Sequence, residues 1–163
     1  MNDLSEILDS FIVQAKTDDL KTLSYPKGYS DLKMKVSFGQ GVAARVPWIA
    51  FTAPEMQVSE GFYPVYLFFK ASNKLILAYG ISETSEYHSS WPDEILHTKQ
   101  TILEYLADNV PRYGGSYVFR SYIPEIVGQS VNYRQDQSEK EISPEALAND
   151  LKQILDYYKR VVS

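Results

Sequence analysis

Two runs rich in aromatic and branched side chains, Tyr63 to Lys70 and Lys74 to Ile81, stand only Ala71-Ser72-Asn73 apart. Residues of that kind suit a pleated, packed surface, and a link that short reads as a hairpin turn. Upstream, Leu32, Met34, Val36 and Phe38 alternate with Lys33, Lys35 and Ser37. That period of two marks a half-buried strand whose wet face carries two lysines. Pro47 to Thr52 is a further strand candidate, and Ser116 to Tyr122 is a later one.

Helical spacing brackets these strands. Leu4, Ile7, Leu8, Phe11, Ile12 and Ala15 form one apolar stripe, with Asn2 or Asp3 as the expected cap. Pro92 to Asn109 carries Ile95, Ile102, Leu103, Tyr105 and Leu106, with Ser90 as the expected cap. Ser143-Pro144-Glu145 is a strong helix start: a capping hydroxyl, a proline at the first position and an acid in the first turn. Leu147, Leu151, Ile154, Leu155, Tyr158 and Val162 follow as its buried stripe. Thr17 to Ser30 reads as a connection, and residues 124–142 read as polar and irregular. The expected fold is α+β, an antiparallel or mixed β-sheet flanked by N-terminal, central and C-terminal helices. The expected organisation is a single domain over residues 1–163.

Composition narrows the function. No apolar run reaches the roughly 18–20 residues of a membrane span, and no basic-then-apolar leader opens the chain. Without cysteine there is no disulfide, thiol nucleophile or thiolate metal site, which fits a cytoplasmic protein. The net charge of −5 argues against a polyanion partner until its distribution is read. Residues 20–80 hold seven Lys/Arg against three Asp/Glu, a basic island between acidic flanks. Local potential governs polyanion binding more than total charge does. Thirteen tyrosines against seven phenylalanines suit half-wet recognition positions.

Reactive groups are scarce. The chain has no P-loop pattern and no G-x-S-x-G, and Gly39-x-Gly41 is a lone pair of glycines. His88 and His97 are not at metal-ligand spacing, so no metal and no cofactor are expected. Pro92-Asp93 and Asp150-Leu151-Lys152 mimic a metal-dependent nuclease pattern, but Asp93 opens a helix and Asp150 is expected mid-helix on the polar side.

Six ordered blocks carry a more specific signal. They are Tyr25-Pro26; Val36-Ser37-Phe38-Gly39; Pro47-Trp48-Ile49-Ala50-Phe51; Gly61-Phe62-Tyr63-Pro64-Val65; Leu75 to Ser82; and His88 with Trp91. In these the chain resembles the N-terminal DNA-binding domain of the McrB family, whose parent proteins are GTP-driven subunits of modification-dependent restriction systems. The resemblance implies a non-catalytic domain that binds double-stranded DNA carrying a modified cytosine and turns that base into a pocket. It implies a GTPase motor domain and a separate nuclease subunit as partners in the parent system, and no membrane. Pocket positions then fall on Trp48, Tyr63 and Leu67, with Tyr117 as a fourth. The loop holding Gly39, Gln40 and Gly41 is where the family fills the gap left by the base. Its best-known members carry an aromatic there; Gln40 can instead hydrogen-bond the orphaned guanine. Lys33, Lys35 and Arg45 are the phosphate-contact candidates, on the same strand and loop. Two rivals stand beside this reading: a sequence-specific DNA-binding domain indifferent to methylation, and a protein-interaction module using the tyrosines.

Overall fold

The computed structural model describes residues 3–59, 61–83, 90–108 and 110–163. Asn2, His88 and Asn109, which the sequence reading used, lie outside them. In chain order the elements are α1 (Leu4–Ala15), β1 (Gly28–Tyr29), β2 (Leu32–Ser37), β3 (Trp48–Thr52), β4 (Phe62–Phe69) and β5 (Lys74–Ile81). Then come α2 (Asp93–Thr98), α3 (Ile102–Leu106), β6 (Tyr117–Val127), β7 (Ser130–Gln135), β8 (Glu141–Ile142) and α4 (Pro144–Val162). The strands form one sheet in which each pairs antiparallel with its neighbour in sequence, β1 through β8. The mixed alternative therefore drops out.

Alternation gives the sheet two different faces. Met34, Phe51, Tyr66, Leu77 and Tyr122 look toward α1 and α4, as ring contacts and tyrosine hydroxyls show. Phe11 of α1 meets Phe38 at 5.3 Å, Phe62 meets Tyr158 of α4 at 5.8 Å, and the Tyr133 hydroxyl donates to Asp9 of α1. The other face carries a row running Ser37–Trp48–Leu67–Ile76–Ser121 across β2 to β6. At its Ser121 end this row is closed by a polar cluster. There Asp136 accepts from Lys74, Tyr105 of α3 and Ser121. At its Ser37 end no helix of the described residues covers it.

Every residue of β4 is buried, so this strand is packed on both faces and reads as an unbroken apolar run. The N-terminal helix starts as expected, with Asp3 accepting from the Glu6 backbone N–H at 2.9 Å. Ser143 caps α4 on Ala146 in the same way.

Four expectations change. The segment 124–142 is not irregular: β6 runs on to Val127 and turns through Gly128 into β7. Val131 and Tyr133 are buried while Ser130 and Asn132 are exposed, a one-sided strand whose polar half masks its period. The central helix is two helices, because the Gln100 carbonyl accepts from Val118 and Thr101 bridges Tyr117 of β6. That pairing extends the chain, and Thr101 then restarts a helix through a reciprocal capping box with Glu104. Neither piece is capped by Ser90; Pro92 stands at the start of α2, and Leu103 is 56% exposed. The presumed connection before Ser30 contains β1.

Asp150 is the fourth. It is not on a solvated side of α4 but accepts from the buried Tyr122 hydroxyl at 2.7 Å, with the Arg120 guanidinium at 3.6 Å. Among the described residues no three His, Asp or Glu side chains converge as a metal cluster. Asp150→Ala strands the Tyr122 hydroxyl in the core, and the expected loss is about 1–3 kcal/mol of unfolding free energy. Urea denaturation measures it; an unchanged midpoint would show that water replaces the carboxylate.

Candidate nucleic-acid interface

The uncovered face holds an open cleft of about 1170 Å³. Its floor follows from strand register. Trp48 pairs with Leu67, Ala50 with Val65 and Val65 with Ala78, while Tyr63 pairs with Gly80. Small residues thus occupy the rows between Trp48 at one end and Tyr63 at the other. Tyr63 and Leu67 are four residues apart on β4, so both point into the cleft, about 13 Å apart along the strand. Leu67 is 1% exposed and forms floor; Trp48 is half-buried and stands as a wall.

Gly80 is required by this packing. A Cβ there would lie 2.7 Å from the Tyr63 carbonyl oxygen and 2.7 Å from Val65 Cγ1. Tyr63 is fixed further by its hydroxyl, which donates to the Val58 carbonyl at 2.9 Å and ties the 53–58 loop over the ring. Burial raises the Tyr63 phenol above its ordinary pKa, so it stays a neutral donor.

The opposite wall was not anticipated. Tyr113 lines the cleft, whereas Tyr117 does not. The cause is a bulge between β5 and β6: Leu77 pairs with Arg120 but Ala78 pairs with Val118, leaving Phe119 as an extra residue. Unbulged pairing would set Tyr117 opposite Gly80, inside the cleft. The one-residue shift instead pairs it with Tyr79, whose ring meets Trp91 and Tyr157 on the helix side. Tyr113 meanwhile shares the cleft lining with Trp48, and the pKa of its hydroxyl is raised mainly by burial. Its signal in the sequence is Arg112-Tyr113-Gly114-Gly115, an aromatic beside two glycines in a connection.

The cationic candidates border the same cleft. Lys33 and Lys35 project from the exposed face of β2, and Arg45 follows the loop after it. Among the described residues none of these three has an ion-pair partner. Lys27 joins them at the rim. The loop between β2 and β3 is drawn tight by the Ala44 N–H donating to the Phe38 carbonyl at 2.8 Å. Gly39 and Gln40 line the cleft, while Gly41 lies outside its lining on the exposed side of the loop. Beyond Gly41, Val42 is 77% exposed, a branched apolar side chain held out at the rim.

The cleft therefore joins an aromatic and aliphatic interior to a rim of free cations. Such a site can stack a planar apolar-faced group inside while phosphates lie along β2.

Over residues 5–163 the chain matches the family described as MrcB-like, N-terminal domain. It is also similar to the type IV methyl-directed restriction enzyme EcoKMcrB subunit of Escherichia coli strain K12, 34% identical over 167 residues. That alignment takes in 99% of this chain and 35% of the relative, so the chain spans about a third of the relative's length.

The loop glycines differ in what they tolerate. At Gly39, with φ +114°, a Cβ would lie 2.2 Å from the Val42 carbonyl oxygen; at Gly41, with φ +77°, it would meet nothing within 4 Å. Gly41→Ala is expected to cost about 1–2 kcal/mol of left-handed strain, and Gly39→Ala more. Chemical denaturation of the two variants checks the order, and equal losses would mean that the loop relaxes freely.

Proposed function

The chain belongs to the family of MrcB-like N-terminal domains, and from that membership and the character of the cleft we propose that it is the DNA-binding specificity domain of a McrBC-like restriction system. In this reading it recognises 5-methylcytosine, or a related modified cytosine, in duplex DNA by rotating the base out of the helix into the cleft. The observation that carries it is the convergence of Trp48, Tyr63 and Leu67 behind a rim of Lys33, Lys35 and Arg45, which have no ion-pair partner among the described residues. The relative's description as methyl-directed supports the modified base as the target.

The energetics suit a two-part site. Stacking on an aromatic wall contributes about 1–3 kcal/mol per base, comparable to the few kcal/mol needed to unstack it. One buried methyl adds only about 0.8 kcal/mol, close to a fourfold preference. Shape must supply the rest of the discrimination, and the close packing at Gly80 and Leu67 gives the floor a fixed shape. Gln40, near the start of the loop that borders the cleft, is the candidate to occupy the vacated position in the duplex. In this reading the domain performs no chemistry. A GTPase motor domain and a nuclease subunit act with it in the parent system, in the cytoplasm.

Titrating matched duplexes that differ only in one methylcytosine tests the reading; equal affinity would leave a methylation-blind DNA-binding domain. No binding even at low salt, where phosphate contacts are strongest, would favour a protein-interaction role instead. Trp48→Ala is expected to lower affinity for the methylated duplex about tenfold, from lost stacking, and to affect the unmodified duplex less. Lys35→Ala is expected to weaken both duplexes alike and to reduce the slope of log affinity against log salt by about 1. An equal loss on both duplexes for Trp48→Ala would assign that residue to the fold.

A further inference from the structure

Tyr113 reaches the cleft in an unusual way. Its φ is +66°, a left-handed conformation that a bulky side chain holds only when its surroundings impose it. The imposing group is Glu83, just beyond the end of β5. Its Oε2 accepts from the Tyr113 backbone N–H at 2.7 Å, and its Oε1 accepts from Arg112 Nε at 3.1 Å. One carboxylate thus grips two successive residues of the connection, charge-assisted at both bonds. The Arg112 guanidinium then lies over the Tyr113 ring, 4.7 Å from its centre. Glu83, Arg112 and Tyr113 all line the same cleft as Tyr63.

The same contact has an electrostatic result. Arg112 lines the cleft, yet its charge is matched by Glu83 rather than left free as at Lys33, Lys35 and Arg45. We propose that Glu83 is a positioning residue: its carboxylate holds the Arg112–Tyr113 turn so that Tyr113 lines the cleft with Trp48, and through that wall it sets how strongly the cleft prefers a modified base. The second half of this statement rests on the modified-base reading above; the first does not.

The two effects of removing Glu83 have opposite signs. Losing the wall weakens capture of a base, whereas losing a carboxylate and freeing Arg112 strengthens general attraction to DNA. Glu83→Ala should therefore lower the ratio of methylated to unmodified affinity about three- to tenfold, the scale of one lost aromatic contact. Affinity for the unmodified duplex should hold or rise. A structural defect alone would lower both.

The test in free protein uses the two indole N–H resonances of the 15N-labelled chain, assigned with Trp48→Phe. Trp91 donates to the Gly80 carbonyl from the helix side and serves as the internal reference. In Glu83→Ala the Trp48 indole resonance should move while that of Trp91 stays. Glu83→Gln, which keeps one acceptor for the Tyr113 N–H, should leave the Trp48 resonance near its original place and restore most of the selectivity. An unmoved Trp48 resonance in Glu83→Ala, or equal tightening on both duplexes, would overturn the proposal. If the unaltered protein shows no preference for methylation, the modified-base reading fails on its own, and the indole shift alone then decides whether Glu83 positions Tyr113.

Discussion

The structure turns on how the β4–β5 hairpin is covered. Both strands are buried along nearly their whole length, so each face needs a partner layer. On one face α1 and α4 supply it with a continuous apolar surface that includes Leu8, Phe11, Leu151 and Leu155. On the other face the cover is assembled piecemeal from the 53–58 loop, the segment around α3 and the polar cluster on Asp136. Where those pieces do not meet, Trp48 remains half exposed and the cleft opens. The cleft is thus the unfinished side of the core, and its floor is made of core residues such as Leu67 and Val65.

That origin accounts for the division of labour along the chain. Strands β2 to β5 provide the floor, one aromatic wall and the free cations from a single stretch of sequence. The wall at Tyr113 comes from a distant connection and is held by an ion-paired carboxylate rather than by packing within the sheet.

Much of this was legible in the sequence because regular alternation survives wherever a strand has one wet and one dry face. Lys33 and Lys35 against Met34 and Val36 are the clearest case. The β4–β5 hairpin was legible through residue type and the short link between its strands. Legibility failed where tertiary contacts override local pattern. Thr101 lies within a helical spacing, yet pairing with β6 interrupts the helix there. The β7 strand hides behind polar residues that are simply its solvent side. The position of Tyr117 depends on one extra residue in β6, and no periodicity in the sequence announces a bulge. Glu83 left no trace, because an acid at a strand end looks the same whether or not it grips a turn thirty residues away.

The pairing order of the sheet bears on how the molecule assembles. Each strand joins its immediate predecessor, so most of the sheet can grow by successive hairpin closures; the exception is β5 to β6, whose connection carries α2 and α3. The contact of greatest sequence separation between helices is that of α1 with α4, which pack on the same face. A sheet formed without those two helices exposes the hydrophobic back of the cleft floor. In that state the helix-facing side chains of Tyr66, Leu77 and Tyr122 lie open, so docking of α1 and α4 covers apolar surface that would otherwise favour aggregation.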